Sequence, residues 1–255
     1  MKFCFGTVCW GGYLERYIDI FINNYITIYR KLIGLGINYA DIAEPKVVYC
    51  GDVPGPKTKL ATEKLAIVTG KKLQLVCDKH KWDTEHIMYS TRNRLRNEFR
   101  KSYPIDKKVY FYFPIDDSIR PDAVYELMKL YQAKTPTACM FKFFVDQGGN
   151  NFTASTRPIA SYKDIHPSDW GGYCAYNILD EDECPLYPAV AIPNVAFYAE
   201  LYRAGYKEYE SEKICIDHLR HGDSHHFKYK STVMSKEVKD FLMAQRVDLY
   251  EKGYE

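Results

Sequence analysis

The chain has almost no charge imbalance: 35 Lys plus Arg stand against 33 Asp plus Glu, a formal net charge of +2. No global basicity therefore argues for nucleic acid, although a locally basic site stays open. No stretch approaches the roughly 20 apolar residues of a membrane span, and Met1 to Gly6 is too short in apolar length for a secretory signal. A cytoplasmic protein without a membrane span is the expectation. The eight cysteines (Cys4, Cys9, Cys50, Cys77, Cys139, Cys174, Cys184 and Cys215) never adopt a Cys-x-x-Cys spacing. That pattern argues against a zinc site or a disulfide framework and for reduced, buried thiols. Without a secretory signal, the sequon Asn151, Phe152, Thr153 is expected to stay silent. There is no internal repeat and no low-complexity tract.

What remains is ordinary globular material, 46% hydrophobic and 27% charged, in a chain of 255 residues that can bury a sizeable core as one large α/β domain or two small ones. Its 23 tyrosines are many for this length. Aromatic faces suit sugars and bases, while most Tyr serve as core and rim.

The most informative stretch runs from Lys108 to Pro121. Val109 to Phe113 are β-branched or aromatic without a break, the composition of a central strand covered on both faces. The strand delivers two adjacent carboxylates, Asp116 and Asp117, then Ser118, then Pro121, which suits the first turn of a helix from Asp122 to Gln132. Ligands of open α/β sheets sit at such carboxyl ends. Neighbouring carboxylates repel, and they stay ionised most easily with a cation between them and a polyanion. A divalent metal holding a diphosphate is the economical reading; the bland one is a turn in which Asp117 or Ser118 caps the helix.

Upstream, the pattern predicts a strand over Lys2 to Cys9, a helix from Leu14 to Leu32, a second strand within Asn38 to Cys50, a helix near Lys59 to Thr69, and a strand from Lys72 to Asp78. A helix from about Thr84 to Lys101 carries Arg92, Asn93, Arg94, Arg96 and Arg100; by pattern alone these arginines are a solvated face. Downstream follow a strand from Thr137 to Val145, an irregular segment over 152–190, a helix from Asn194 to Ala204 closed by Gly205, a strand from Tyr206 to Ile216, and an amphipathic tail helix over 235–252. That tail would pack on the core or on a partner subunit, so a homo-oligomer is one expectation. Four histidines, His218, His221, His225 and His226, stand close together and read otherwise as a surface cluster.

The series hydrophobic strand, Asp116, Asp117, Ser118, Ile119, Pro121, then helix resembles the acidic metal-binding motif of GT-A-type glycosyltransferases. The resemblance covers roughly residues 1 to 225 in element order. It implies an α/β fold: a single GT-A-like domain over 1–230 with a Rossmann-like, mostly parallel sheet flanked by helices, an irregular acceptor-side region, and a C-terminal helical tail over 231–255. Within it, 1–120 would form the nucleotide-sugar-binding half and 121–230 the acceptor half. It further implies Mn²⁺ or Mg²⁺ held by Asp116, Asp117 and His218, with His221 the second match for the histidine, Thr7 and Cys9 near the base or ribose, Arg92 and Asn93 near the phosphates, and Trp170 and Tyr173 on the acceptor side. A UDP-sugar is the favoured donor; the acceptor stays open among small molecules, glycans, proteins and modified bases in DNA.

Two departures stand out. Ser118 falls where the family's last Asp is expected, and Pro193 and Asn194 open the helix that in inverting members starts with the catalytic acid. Either the acidic run Asp180 to Glu183, with Asp182 at its centre, supplies the base, or configuration is retained, or activity is lost. A nucleotidyltransferase acting on sugar phosphates is the alternative, disfavoured because Gly6 to Cys9 carries no basic residue. A catalytically inactive glycosyltransferase-like binding protein is the other.

Overall fold

A computed structural model describes residues 1–10, 12–50, 53–78, 87–146, 152–155, 173–187 and 193–219. Its elements are β1 (Lys2–Trp10), α1 (Tyr13–Gly34), β2 (Lys46–Cys50), α2 (Pro56–Thr69), β3 (Gln74–Cys77), α3 (Ile87–Ser102), β4 (Lys108–Tyr112), β5 (Ser118–Ile119), α4 (Ala123–Gln132), β6 (Thr137–Asp146), β7 (Phe152–Ser155), β8 (Cys174–Ile178), α5 (Pro193–Arg203) and β9 (Lys207–Leu219). The strands form one nine-stranded sheet in the order β3-β2-β1-β4-β8-β6-β9-β5, with β7 paired to β6. Pairing is parallel through β3-β2-β1-β4 and again at β6–β9, and antiparallel where β8, β7 and β5 join. The expected single α/β sheet is therefore present, and its parallel run belongs chiefly to the first half of the chain.

Alternation along the strands builds two cores. On one face Phe3, Phe5, Phe111 and Phe141 pack under α1, α2 and α4; on the other Cys4, Tyr110 and Tyr176 pack under α3 and α5. Strand β4 is buried at all five positions, as a strand sandwiched between helical layers must be. Helix α1 buries Leu14, Tyr17, Ile18, Phe21, Tyr25, Ile28 and Leu32 at helical spacing. Gly6 is the close-packing point on the other face: a Cβ there would stand 2.8 Å from both methyl carbons of Leu95 on α3.

Three local expectations change. Helix α4 begins at Ala123, so Pro121 precedes it, and Ser118 and Ile119 form a short strand antiparallel to Asp217 and Ile216. Within the segment expected to be irregular, β8 is a fully buried strand between β4 and β6. Its polar residue Asn177 is accommodated by accepting from Thr137 N (2.8 Å) and donating to Thr135 O (3.0 Å). Trp170, His221, the tail helix over 235–252 and the 231–255 boundary lie outside the described residues. Among the described residues, no helix is long and apolar enough to cross a membrane.

Candidate functional site

Strand order creates the site. β1 lies between β2 and β4, and the chain switches direction across the sheet at this point, where α/β folds open a crevice beyond the strand ends. After Phe113 N donates to Gly6 O (3.2 Å), β1 continues to Trp10 beside β2 alone, while the chain after β4 turns away into Asp116 and Asp117.

Both acids are buried, Asp117 completely and Asp116 to 7% exposure. The β5–β9 pairing places His218 one residue beyond the Ser118–Asp217 pair, and this brings together side chains 101 residues apart: His218 Nδ1 lies 2.8 Å from Asp117 Oδ1. The second oxygen of Asp117 accepts from Tyr173 Oη at 2.5 Å, and Tyr173 Oη is 2.9 Å from His218 Nδ1. Burial first, then the charge of Asp117, pushes the Tyr173 hydroxyl well above its ordinary pKa. It stays protonated and donates. A carboxylate oxygen accepts, so His218 Nδ1 is the donor in its contact with Asp117 Oδ1.

On the other face of the sheet, Arg92 is 4% exposed, with its guanidinium 4.2 Å from the Tyr112 ring centroid and 5.4 Å from that of Tyr187. Its Nε and Nη1 have no hydrogen-bond partner among the described residues. Tyr112 links the two sides. Burial raises its pKa, Arg92 opposes that rise, and the charges of Asp116 and Asp117 add to it. Tyr112 thus feels both the Arg92 guanidinium and the acid pair that His218 meets.

Several sequence-predicted residues take other roles. Thr7 and Cys9 lie at the carboxyl end of β1, where they are 0% and 1% exposed. Asn93 is spent on structure, donating to Tyr187 O and accepting from Tyr187 N, both at 2.9 Å. Tyr173, expected to stack on an acceptor, is 3% exposed against Phe143 and bonded to Asp117 instead. Asp182 sits at the wrong end of the sheet for a base. β8 runs antiparallel to β4 with Ile178 opposite Lys108, so the turn after β8 lies at the start of β4, where Glu181 pairs with Lys108 (2.8 Å) and with buried Arg96 (3.3 Å). The four residue steps of β4 beyond Lys108 alone separate this turn from the acids by about 13 Å. Asp182 pairs with exposed Arg100 at 2.7 Å. The solvated-face reading of the arginines fails for Arg92 and Arg96, which is 2% exposed.

Sequence reasoning passed over Asn24. This α1 residue, 6% exposed, donates from Nδ2 to Asp117 O (2.6 Å) and accepts from Ile119 N (3.0 Å). A lone amide on an otherwise apolar helical stripe was the available signal.

No protein-family model matches the chain, and no curated protein matches it. Solved structures do resemble it. Residues 1–349 of S. aureus TarS, in complex with UDP-GlcNAc, share 13% identity at a TM-score of 0.60, covering 98% of this chain and 66% of that one. S. aureus TarS in a second structure shares 14% at 0.55, covering 86% and 37%. The mannosyltransferase PcManGT from Pyrobaculum calidifontis, in complex with GDP-Man and Mn²⁺, shares 12% at 0.51, covering 85% and 56%. The chain spans less than two thirds of the length of each. At these identities the likeness defines architecture: the chain has the GT-A-type fold of nucleotide-diphospho-sugar transferases.

Proposed function

We propose that the protein is a glycosyltransferase that takes its sugar from a nucleotide-diphosphate sugar, a UDP-sugar by preference, at the carboxyl end of β4. The observation that carries this reading is the meeting of Asp117 and His218 at 2.8 Å beside Asp116, at the point where the strand order reverses. The S. aureus structure bound to UDP-GlcNAc and the Pyrobaculum structure bound to GDP-Man and Mn²⁺ support it by shared fold.

The donor set suits a hard divalent cation. Among the described residues, no group of three His, Cys, Asp or Glu side chains could hold a metal ion by itself, so phosphate oxygens would have to complete the coordination. Two carboxylates and an imidazole that leave positions for phosphate oxygens are what Mg²⁺ or Mn²⁺ takes when shared with a diphosphate. Asp116, Asp117 and His218 would hold it, and when bound it neutralises charge developing on the leaving diphosphate. Arg92 would donate its Nε and Nη1 hydrogens to phosphate oxygens. Tyr173 holds its proton on Asp117, which fixes the direction of that carboxylate. In the transfer, the bond from the sugar's anomeric carbon to the diphosphate oxygen breaks and an acceptor oxygen takes its place. Residues 1–120 would serve the donor and 121–230 the acceptor. Asp182 is too distant to take the acceptor proton. None of the eight cysteines is joined in a disulfide and seven are buried, which fits a reducing cytoplasm.

The test is a panel of UDP- and GDP-sugars with Mn²⁺, read by binding and by slow release of the nucleoside diphosphate. Turnover is expected with at least one donor, falling about 100-fold in Asp117→Asn, or roughly 2.7 kcal/mol of transition-state stabilisation. Neither binding nor hydrolysis across the full panel would defeat the proposal.

A further inference from the structure

The turn that carries the two acids is held from both sides, and only one side is a strand. On one edge, Ser118 and Ile119 pair with Asp217 and Ile216, and Arg120 N donates to Cys215 O at 2.8 Å. On the other, the carboxamide of Asn24 does what a neighbouring peptide group would do: it donates to the carbonyl of Asp117 (2.6 Å) and accepts from the N–H of Ile119 (3.0 Å), the two main-chain groups flanking Ser118. Asn24 lies among Phe21, Ile22, Tyr25 and Ile28, which are 0% exposed, so no water competes well for those groups.

We infer that Asn24 is a positioning residue for the cation and diphosphate site, setting the direction in which Asp117 leaves the backbone and hence its approach to His218. The inference rests on the reading that Asp116, Asp117 and His218 hold a divalent cation. The physical reason is leverage. With Asp117 O and Ile119 N both fixed, the peptide planes on either side of Ser118 cannot rotate, and the Asp117 side chain is left only its own rotamers. Tyr173 then selects among these by donating to Oδ2. Partners of this kind, one step removed from a metal, typically tune metal affinity 10- to 100-fold.

Two variants test it. Asn24→Leu keeps the volume and removes both bonds. Asn24→Asp keeps the acceptor for Ile119 and loses the donor to Asp117. Asn23→Ala is the control, because Asn23 is the exposed neighbour and bonds Lys64 instead. Mn²⁺ affinity is measured by electron paramagnetic resonance in the presence of UDP, alongside circular dichroism melting and donor hydrolysis over a range of Mn²⁺ concentrations. Both Asn24 variants are expected to bind Mn²⁺ about 10- to 100-fold more weakly and to regain hydrolysis as Mn²⁺ is raised by the same factor; the control should match wild type. A residue that merely fills the core would lower the melting temperature and leave Mn²⁺ affinity unchanged. That result overturns the inference while leaving the transferase reading intact. Wild-type protein that binds no Mn²⁺ with UDP overturns both. Should the Leu variant not fold, the Asp variant carries the decision.

Discussion

Arg92 is a guanidinium sealed between two tyrosine rings, with two donors left over among the described residues. A buried charge of this kind costs the free chain stability, partly offset by about 0.5–2 kcal/mol of cation–π attraction. The arrangement is economical only if an anion completes it. Arg92→Met is therefore expected to melt no lower than wild type while losing about 10- to 100-fold in UDP affinity, two donated charge-assisted bonds being worth roughly 1.5–3 kcal/mol each before losses elsewhere. Calorimetry of UDP binding beside a melting curve checks it; a lower melting temperature with unchanged UDP affinity would make Arg92 a structural residue. At this scale the sequence was legible where chemistry is local. Asp116 and Asp117 follow an unbroken apolar strand, so their place could be read. Arg92, Arg96 and Arg100 fall on one helical stripe, and no rule of spacing tells a buried arginine from a solvated one. The decision for Arg96 comes from Glu181, 85 residues away.

Among the elements, α2 shows how one side chain can anchor a helix end. Its N-cap, Gly55, brings no side chain, and Glu15 of α1 fills the role, accepting from Gly55 N (2.6 Å), Lys57 N (3.1 Å), Thr58 N (3.0 Å) and the Thr58 hydroxyl. Burial works against the charged form, but the bonds from Thr58, Gly55 and Lys57 win and hold the Glu15 carboxyl below its ordinary pKa. A depressed folded-state pKa contributes stability that is fully present above the unfolded value of about 4.3 and is lost as pH falls through the folded value. Glu15→Gln is expected to cost about 1 kcal/mol at neutral pH, the scale of a lost helix cap. Its melting deficit relative to wild type should shrink as the pH is lowered past about 4. A deficit independent of pH between 7 and 3 would assign the loss to packing. Helix α1 could be read from its periodicity to within two residues at each end, because ten buried positions repeat one spacing. Strand β8 could not. It is five residues long and buried on both faces, and it reveals itself only when the carbonyls that satisfy Asn177 are known.

For the molecule as a whole, the seat of α3 on the sheet depends on a missing side chain. Leu95, fully buried, occupies the space above Gly6, and from that seat α3 carries Arg92 to the rings of Tyr112 and Tyr187. Gly6→Ala is expected to destabilise by about 1–3 kcal/mol through overpacking. In a double-mutant cycle with Leu95→Ala the two losses should be less than additive by at least about 1 kcal/mol, since the second change removes the atoms the first collides with. Strictly additive losses in urea unfolding would place the strain elsewhere. The order of strands and helices through β4 followed from the sequence because each βαβ step is local. In the second half α4, β6, α5 and β9 followed from the sequence as well, but β8 did not, nor did the order β8, β6, β9, β5 in which the sheet is assembled there, because chain position does not foretell it.

One irregularity in that second half fixes where the imidazole stands. Between the pairs Met140–Glu210 and Phe143–Ile216, β6 advances three residues while β9 advances six. Side chains in a strand alternate sides with every residue, so an odd surplus exchanges the inner and outer sets: Tyr209 packs on the α1 layer before the irregularity, and Ile216 and His218 take the even-numbered places on that layer after it. Parity, and not total length, is what this stretch must conserve. Related chains could lengthen or shorten the loop-out by two residues and keep histidine beside its acid, whereas a change of one would turn the ring through the sheet to the arginine side.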